Sequence, residues 1–255
     1  MADSQYILMK LVAPIMGFIL ANVMFFSGVP GMLRCKRAGT LGDMNPLPFP
    51  VIWANCVGWI LYSVLIRDYF LFFSNAPGAM VGMYFTLVAY GLSQYKSKTR
   101  DSLEVLLMSM MFALLSLTLY VGIVAMDESI EFKKTVVGLF ANAVLLIYYA
   151  APLSTLKEVI ATRSSRSLYF PLSIANTVNG TAWCVYGLAL NDPYLVAPNG
   201  VGAFLGAVQL VLIFSFPNKH DTSPVPSSRP SAQNLLDVER GQSLIQDGHA
   251  APTAI

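Results

Sequence analysis

Charge is what this sequence has least of. Only 12% of its 255 residues are Asp, Glu, Lys or Arg, about half the fraction usual in a soluble domain. The shortage is also segregated. No charged residue falls between Leu11 and Leu33, Pro48 and Ile66, Tyr69 and Tyr95, Thr135 and Leu156, Ser167 and Leu190, or Pro193 and Pro217. Histidine is almost missing, and His220 and His249 both lie in the last segment of the chain. Cys35, Cys56 and Cys184 make an odd set with no disulfide framework and no metal spacing. Enzymatic chemistry needs a nucleophile beside a base or a ligand cluster, and neither is spaced for here. No cofactor or metal is implied. A net charge of +2 is too small to point to nucleic acid.

What fills the charge-free windows is hydrocarbon. Each supplies about 20 residues, enough to cross some 30 Å of bilayer as a helix. The stretch from Leu103 to Met126 adds one more, charged only at Glu104. The expected spans are 6–33, 48–66, 69–92, 103–126, 132–156, 168–190 and 194–216, an all-α polytopic membrane protein. The first apolar run lacks a basic leader and a small-residue cleavage site, so it is taken as a span rather than a signal peptide. Three basic residues follow each of the first, third and fifth spans: Arg34, Lys36 and Arg37; Lys96, Lys98 and Arg100; Lys157, Arg163 and Arg166. The positive-inside rule then sets the N-terminus outside and the C-terminus in the cytosol.

Residues 55–82 recur at 179–206 with a constant shift of 124 and no gap. Asn55, Trp59, Tyr62, Asp68, Leu71, Asn75, Gly78, Ala79 and Gly82 meet Asn179, Trp183, Tyr186, Asp192, Leu195, Asn199, Gly202, Ala203 and Gly206. Apolar helices resemble one another by composition, but matched polar residues inside them carry a desolvation cost that chance does not explain. A three-helix unit ends across the membrane from where it starts. One extra crossing therefore restores the orientation of a second copy, giving two parallel three-helix repeats (6–92 and 132–216) around a linker helix (103–126). Duplicated modules with matched polar positions point to a transporter whose site lies at the repeat interface. After residue 216 the composition turns to Pro, Ser, Asp and Gln, and 217–255 is expected to be a disordered cytosolic tail.

Span interiors carry no Asp, Glu, His, Lys or Arg, whereas proton- and sodium-coupled carriers usually need an ionisable group or an equivalent ion site at membrane depth. An uncoupled facilitator fits. The polar groups left are amides: Asn55, Asn75, Asn179 and Asn199. Trp59 and Trp183 lie one turn from Asn55 and Asn179 on the same helical face. Amides donate and accept, matching hydroxyls, and flat rings stack on C–H faces, so the set suits a sugar. The competing reading is interhelical glue for the amides and interfacial anchoring for the tryptophans. The matched Tyr62 and Tyr186, with Asp68 and Asp192 in the short outer loops, suggest a gate in which a Tyr hydroxyl bonds a carboxylate across the pseudo-twofold axis to close the outer mouth. Asp68 equally fits a helix N-cap. Gly78, Gly82, Gly202 and Gly206 form small-xxx-small pairs for close helix packing. Pro48 is expected to open the second span and Pro152 to end the fifth.

Phe26-Ser27-Gly28-Val29-Pro30, Trp59-x-x-Tyr62, Ala151-Pro152-Leu153-Ser154, Phe170-Pro171-Leu172-Ser173, Trp183-x-x-Tyr186-Gly187 and Pro198-Asn199-Gly200-x-Gly202 together resemble the SWEET (MtN3/saliva) sugar facilitators over about residues 6–216. The resemblance implies passive, bidirectional sugar uniport by alternating access in the plasma membrane, without a cofactor, and a homo-oligomer such as a trimer in contact with lipid. It implies substrate binding at Asn75, Asn199, Trp59 and Trp183 with Asn55 and Asn179 beside them, and an outer gate at Tyr62 and Asp192. It puts substrate-size positions at Met24 and Tyr148, both bulky here, which favours a monosaccharide such as glucose. The four hinge prolines of the family fall on Gly28, Pro48, Pro152 and Tyr169. Two are therefore not proline, with Pro30 and Pro171 each two residues on. The rivals are a PQ-loop-type carrier of another small solute, which would carry a Pro-Gln pair that this sequence lacks, and a seven-helix receptor or cargo-binding membrane protein.

Overall fold

A computed structural model describes residues 6–42 and 44–216; the expected tail over 217–255 lies outside the described residues. These residues form seven helical rods and no strand. They are α1 (Leu8–Ala38), α2 (Pro48–Ile66), α3 (Tyr69–Leu92), α4 (Lys98–Val124), α5 (Ile130–Thr162), α6 (Phe170–Leu190) and α7 (Pro193–Ser215). All except α6 are long and apolar enough to cross a membrane. α6 misses that standard because Ser173, Asn176, Thr177, Asn179 and Thr181 dilute its apolar residues.

Chain punctuation repeats along with the side chains. α2 ends on Arg67 and α6 on Asn191, both left-handed, and each is followed by an aspartate that caps the next helix. α1 ends on left-handed Gly39 and α5 on left-handed Arg163, again 124 residues apart. Both two-residue α2–α3 and α6–α7 turns thus have one geometry, so α3 and α7 fold back along their predecessors in equivalent ways.

Packing follows a 1-3-2 order inside each triplet. α3 lies between α1 and α2, and α7 between α5 and α6. The triplets meet twice, α2 against α5 and α1 against α6, which closes a six-helix ring. α4 packs on α2 outside that ring, consistent with a linker. Lipid tails are as apolar as leucine, so such helices associate through close approach and hydrogen bonds rather than hydrophobic burial. The glycines supply that approach at matched positions. A Cβ on Gly82 would meet the Trp53 backbone at 3.0 Å, and one on Gly206 the Thr177 backbone at 2.9 Å. Likewise Gly78 faces the Phe25 ring and Gly202 the Tyr149 hydroxyl. Each partner pair is itself related by the 124-residue shift.

Helix limits differ from the sequence expectation at three places. α1 runs on to Ala38 and so includes Arg34, Lys36 and Arg37, cations at a helix C-terminus, where the peptide dipoles favour them. α4 begins at Lys98, with Ser97 accepting from the Arg100 amide as its cap. Pro152 does not end the fifth span. α5 continues through it to Thr162, because a proline removes one ladder bond, to the Tyr148 carbonyl, without preventing helix on either side.

The closest approach of α6 to α7 yields a stability prediction. A Cβ on Gly180 would stand 2.7 Å from the Ala203 nitrogen and 2.8 Å from the Asn199 carbonyl oxygen, both backbone atoms that cannot swing aside. Gly180→Ala should lower thermal stability in detergent by about 1–3 kcal/mol. Gly91→Ala, with nothing within 4 Å, should leave it level or slightly raised. Thermal melts of the two purified variants decide this.

Candidate transport site

The ring encloses a cavity of about 590 Å³, bordered by residues from all six of its helices. Trp59, Asn75, Trp183 and Asn199 line it, as do Asn55, Asn179, Met24 and Tyr148. Gly28, Pro48 and Pro152 lie on its wall; Tyr169 does not, and stands exposed as the residue before α6. The sequence-predicted binding and size residues therefore gather at one place.

The matched amides make matched bonds. Asn75 donates from Nδ2 to the Leu71 carbonyl at 2.9 Å, and Asn199 to the Leu195 carbonyl at 2.8 Å. Each bond lies within its own helix and fixes the side chain. The Oδ1 atoms accept no hydrogen bond from the described residues, leaving two acceptors at the cavity. Asn55 and Asn179 part company. Asn55 Nδ2 donates to the Ala141 carbonyl at 3.0 Å and ties α2 to α5, whereas Asn179 Oδ1 is buried without a partner among the described residues. Trp59 and Trp183 are buried at equivalent sites. Each stands edge-on to the tyrosine one turn further along, with centroids 5.5 Å apart for Trp59–Tyr62 and 5.9 Å for Trp183–Tyr186.

Those tyrosines close one end. The Tyr62 hydroxyl donates to Asp192 Oδ2 at 2.6 Å, and the Tyr186 hydroxyl to Asp68 Oδ2 at 2.7 Å. Both bonds cross from one triplet to the other. Capping and crossing turn out to be compatible. Asp68 Oδ1 accepts from the Leu71 amide at 2.9 Å, and Asp192 Oδ1 from the amides of Tyr194 and Leu195 at 3.0 and 3.3 Å, so each carboxylate caps with one oxygen and bridges with the other. Beyond Trp59 and Trp183 toward the other end, the cavity reaches Phe49, Leu172 and Gln209, and Leu172 is exposed.

Five participants escaped the sequence reading. Lys134 Nζ lies 3.6 Å from Asp192 Oδ2, offsetting the charge of a carboxylate that is 2% exposed. Asp68 has no ion pair among the described residues. Asn142 Nδ2 reaches the Tyr194 carbonyl at 3.2 Å, the group that Pro198, four residues on, cannot serve. The Tyr149 hydroxyl donates to the Pro198 carbonyl at 2.8 Å, and the Tyr194 hydroxyl to Thr135 Oγ1 at 2.9 Å. Thr135, Asn142 and Tyr149 recur every seven residues along one face of α5. Their counterparts in α1 are Leu11, Phe18 and Phe25, and that contrast was the one available signal.

The profile of a family described as "Sugar efflux transporter for intercellular exchange" (MtN3/saliva) matches twice, over residues 12–98 and 135–221. The chain belongs to the SWEET family. The two SWEET matches cover both triplets and omit α4. A rat "Sugar transporter SWEET1" is 30% identical over 203 residues, 78% of this chain and 87% of that one. An Arabidopsis thaliana "Bidirectional sugar transporter SWEET13" is 32% identical over 231 residues, 88% and 74% of the two chains. A solved eukaryotic SWEET transporter superposes with a TM-score of 0.74 at 24% identity, covering 83% of this chain and 98% of that one, and so shares the fold.

The unequal surroundings of the two aspartates predict unequal costs. Asp192→Ala removes a cap on two amides, a tyrosine acceptor and the nearer partner of Lys134, which also lies 3.8 Å from Glu131, whereas Asp68→Ala removes a cap on one amide and a tyrosine acceptor. A cap is worth about 1 kcal/mol and a hydrogen bond to a charged group about 1.5–3. Asp192→Ala should therefore lower the melting temperature more than Asp68→Ala. Equal shifts would mean that neither Lys134 nor the second capped amide contributes measurably.

Proposed function

We propose that this SWEET protein carries sugars down their gradient by alternating access, as a uniporter. The observation that carries this reading is a cavity with paired amides and paired indoles, sealed at one end by bonds that cross between the triplets. Asn75 and Asn199 present carbonyl oxygens to the hydroxyls of the solute, and Trp59 and Trp183 offer ring surface to its C–H face. Asn179 adds an unpaired acceptor; Asn55, with one Nδ2 hydrogen committed to Ala141, still offers its oxygen and its second hydrogen. Transfer to this chain of what the relatives' names state, sugar transport and bidirectionality, rests on family membership and on this inventory of side chains.

The Tyr62–Asp192 and Tyr186–Asp68 bonds act as the outer gate, and the site then communicates with the cytosolic end. Opening the gate requires the triplets to part where α2 meets α7 and α6 meets α3. Gly28, Pro48 and Pro152 lie where the helices can flex, and Tyr169 precedes α6, whose first turn holds Pro171. The bulk of Met24 and Tyr148 favours a monosaccharide such as glucose. The protein resides in the plasma membrane as a homo-oligomer, a trimer being the expected count, with its N-terminus outside and the tail in the cytosol. The basic residues at the cytosolic ends of α1, α3 and α5 support that orientation.

Proteoliposomes test the reading. Radiolabelled glucose should show counterflow with no ion gradient, and Asn75→Ala or Asn199→Ala should reduce it by at least about tenfold, the effect of one or two lost hydrogen bonds. Near-normal flux in both variants would remove these residues from the site. Flux should also be indifferent to protonophores and to external pH between about 5.5 and 7.5, as no side chain on the cavity wall titrates there. A steep pH profile would contradict an uncoupled carrier.

A further inference from the structure

The cavity is lined by two unlike walls. At three positions matched by the 124-residue shift, the first triplet contributes Phe25, Ile52 and Phe85 where the second contributes Tyr149, Asn176 and Gln209. In every pair, hydrocarbon on one side faces a hydrogen-bonding group on the other. The asymmetry lies away from the Asn75/Asn199 and Trp59/Trp183 pairs, which are alike in both copies.

Neighbouring contacts sharpen the contrast. Phe85 stands edge-on to Phe49, with centroids 5.3 Å apart, a dry aromatic pair. The residues at the equivalent positions in the second copy are Gln209 and Ser173, and there the Ser173 hydroxyl donates to Gln209 Oε1 at 3.0 Å. That bond orients the amide and leaves both Nε2 hydrogens for another acceptor. Asn176 makes no hydrogen bond to the described residues, and Asn179 Oδ1, one turn on, is buried and unpaired. The Tyr149 hydroxyl is already taken by the Pro198 carbonyl. Where the two walls differ, one therefore offers two amides with open hydrogen-bonding capacity, Asn176 and Gln209, opposite hydrocarbon at Ile52 and Phe85, while Asn55 and Asn75 remain the acceptors of the other wall. An amide left unpaired beside a buried surface is costly unless a ligand or water completes it.

Building on the sugar reading, we infer that a monosaccharide binds in one orientation, with a hydroxyl-rich edge on Asn176, Asn179 and Gln209 and its other edge on Phe25, Ile52 and Phe85. Asn176 and Gln209 are then specificity-determining residues. Pseudo-symmetry would otherwise allow two equivalent poses; the unlike walls remove one. The substrate class is a sugar that tolerates the loss of a hydroxyl on one edge but not on the other. A deoxyhexose lacking a group that faces the hydrocarbon wall belongs to it.

The experiment is competition of each monodeoxyglucose against radiolabelled glucose in counterflow, using the full chain in proteoliposomes. The wild-type panel should be uneven. At least one deoxy sugar should compete within about twofold of glucose, and others should be weaker by about tenfold, the cost of an unmatched hydrogen bond. Asn176→Leu should raise the half-saturation concentration for glucose about tenfold. It should also abolish discrimination against one of the weak competitors, a non-additivity that general damage to the fold would not produce. Gln209→Leu should do the same for a different hydroxyl. A flat panel in wild type, which needs no variant to fold, overturns the oriented pose. So do variants with wild-type affinity and an unchanged panel. Absence of any glucose counterflow in wild type would instead remove the sugar reading, and this pose with it.

Discussion

Two hydrogen bonds hold the architecture together where it matters. A tyrosine from the middle helix of each triplet donates to the carboxylate that begins the last helix of the other. The same carboxylates cap α3 and α7, so the seal and the secondary structure share atoms. A change at either aspartate therefore reaches the turn, the helix start and the mouth of the cavity together. The 124-residue repeat in the sequence is intelligible from this arrangement. A reciprocal bond needs a Tyr and an Asp in both copies at one spacing, which ties the two copies to one another.

Magnitudes fit the proposed role of these bonds as a gate. Each tyrosine–carboxylate bond contributes about 1.5–3 kcal/mol, and polar contacts between membrane helices average about 0.6 kcal/mol. Two crossing bonds thus hold one end shut by a few kcal/mol, within reach of motions on the microsecond to millisecond scale. The remaining contacts between the triplets are small-residue and aromatic packing, together with the Asn55–Ala141 bond. Lys134 adds an ion pair to the Asp192 half that the Asp68 half lacks among the described residues. The hydrogen-bonded stripe from Thr135 to Tyr149 ties α5 to α7 in a way that the apolar α1–α3 contact lacks.

Much of this was legible in the chain because a polar residue in an apolar helix is costly and therefore informative. Asn75, Asn199, Trp59, Trp183, Tyr62 and Asp192 stood out by recurring, and all meet at the cavity or its seal. What stayed hidden has physical reasons too. Hydropathy gives the length of an apolar run, not where a helix stops, so α1 and α5 extend past their charge-free windows, and Pro152 sits inside a helix. Lys134, near the start of the expected fifth span, has nothing in its spacing that links it to Asp192 until the fold sets the two together. Asn142 has no counterpart in the first copy, and its role follows from a carbonyl freed by Pro198 on another helix. Spacing along one helix cannot reveal that. The 1-3-2 packing order likewise depends on which glycine meets which ring.

The most direct test of the account is the sidedness of the cavity. Val81 lines it, and Val81→Cys in a background with Cys35, Cys56 and Cys184 replaced by Ser gives a single reporter thiol. An impermeant maleimide applied to oriented vesicles should label it from the end opposite the tyrosine–aspartate bonds. Tyr62→Phe combined with Tyr186→Phe should transfer labelling toward the sealed end. Equal labelling from both sides in the parent protein, or no shift in the double phenylalanine variant, would contradict a carrier whose access is governed by those two bonds.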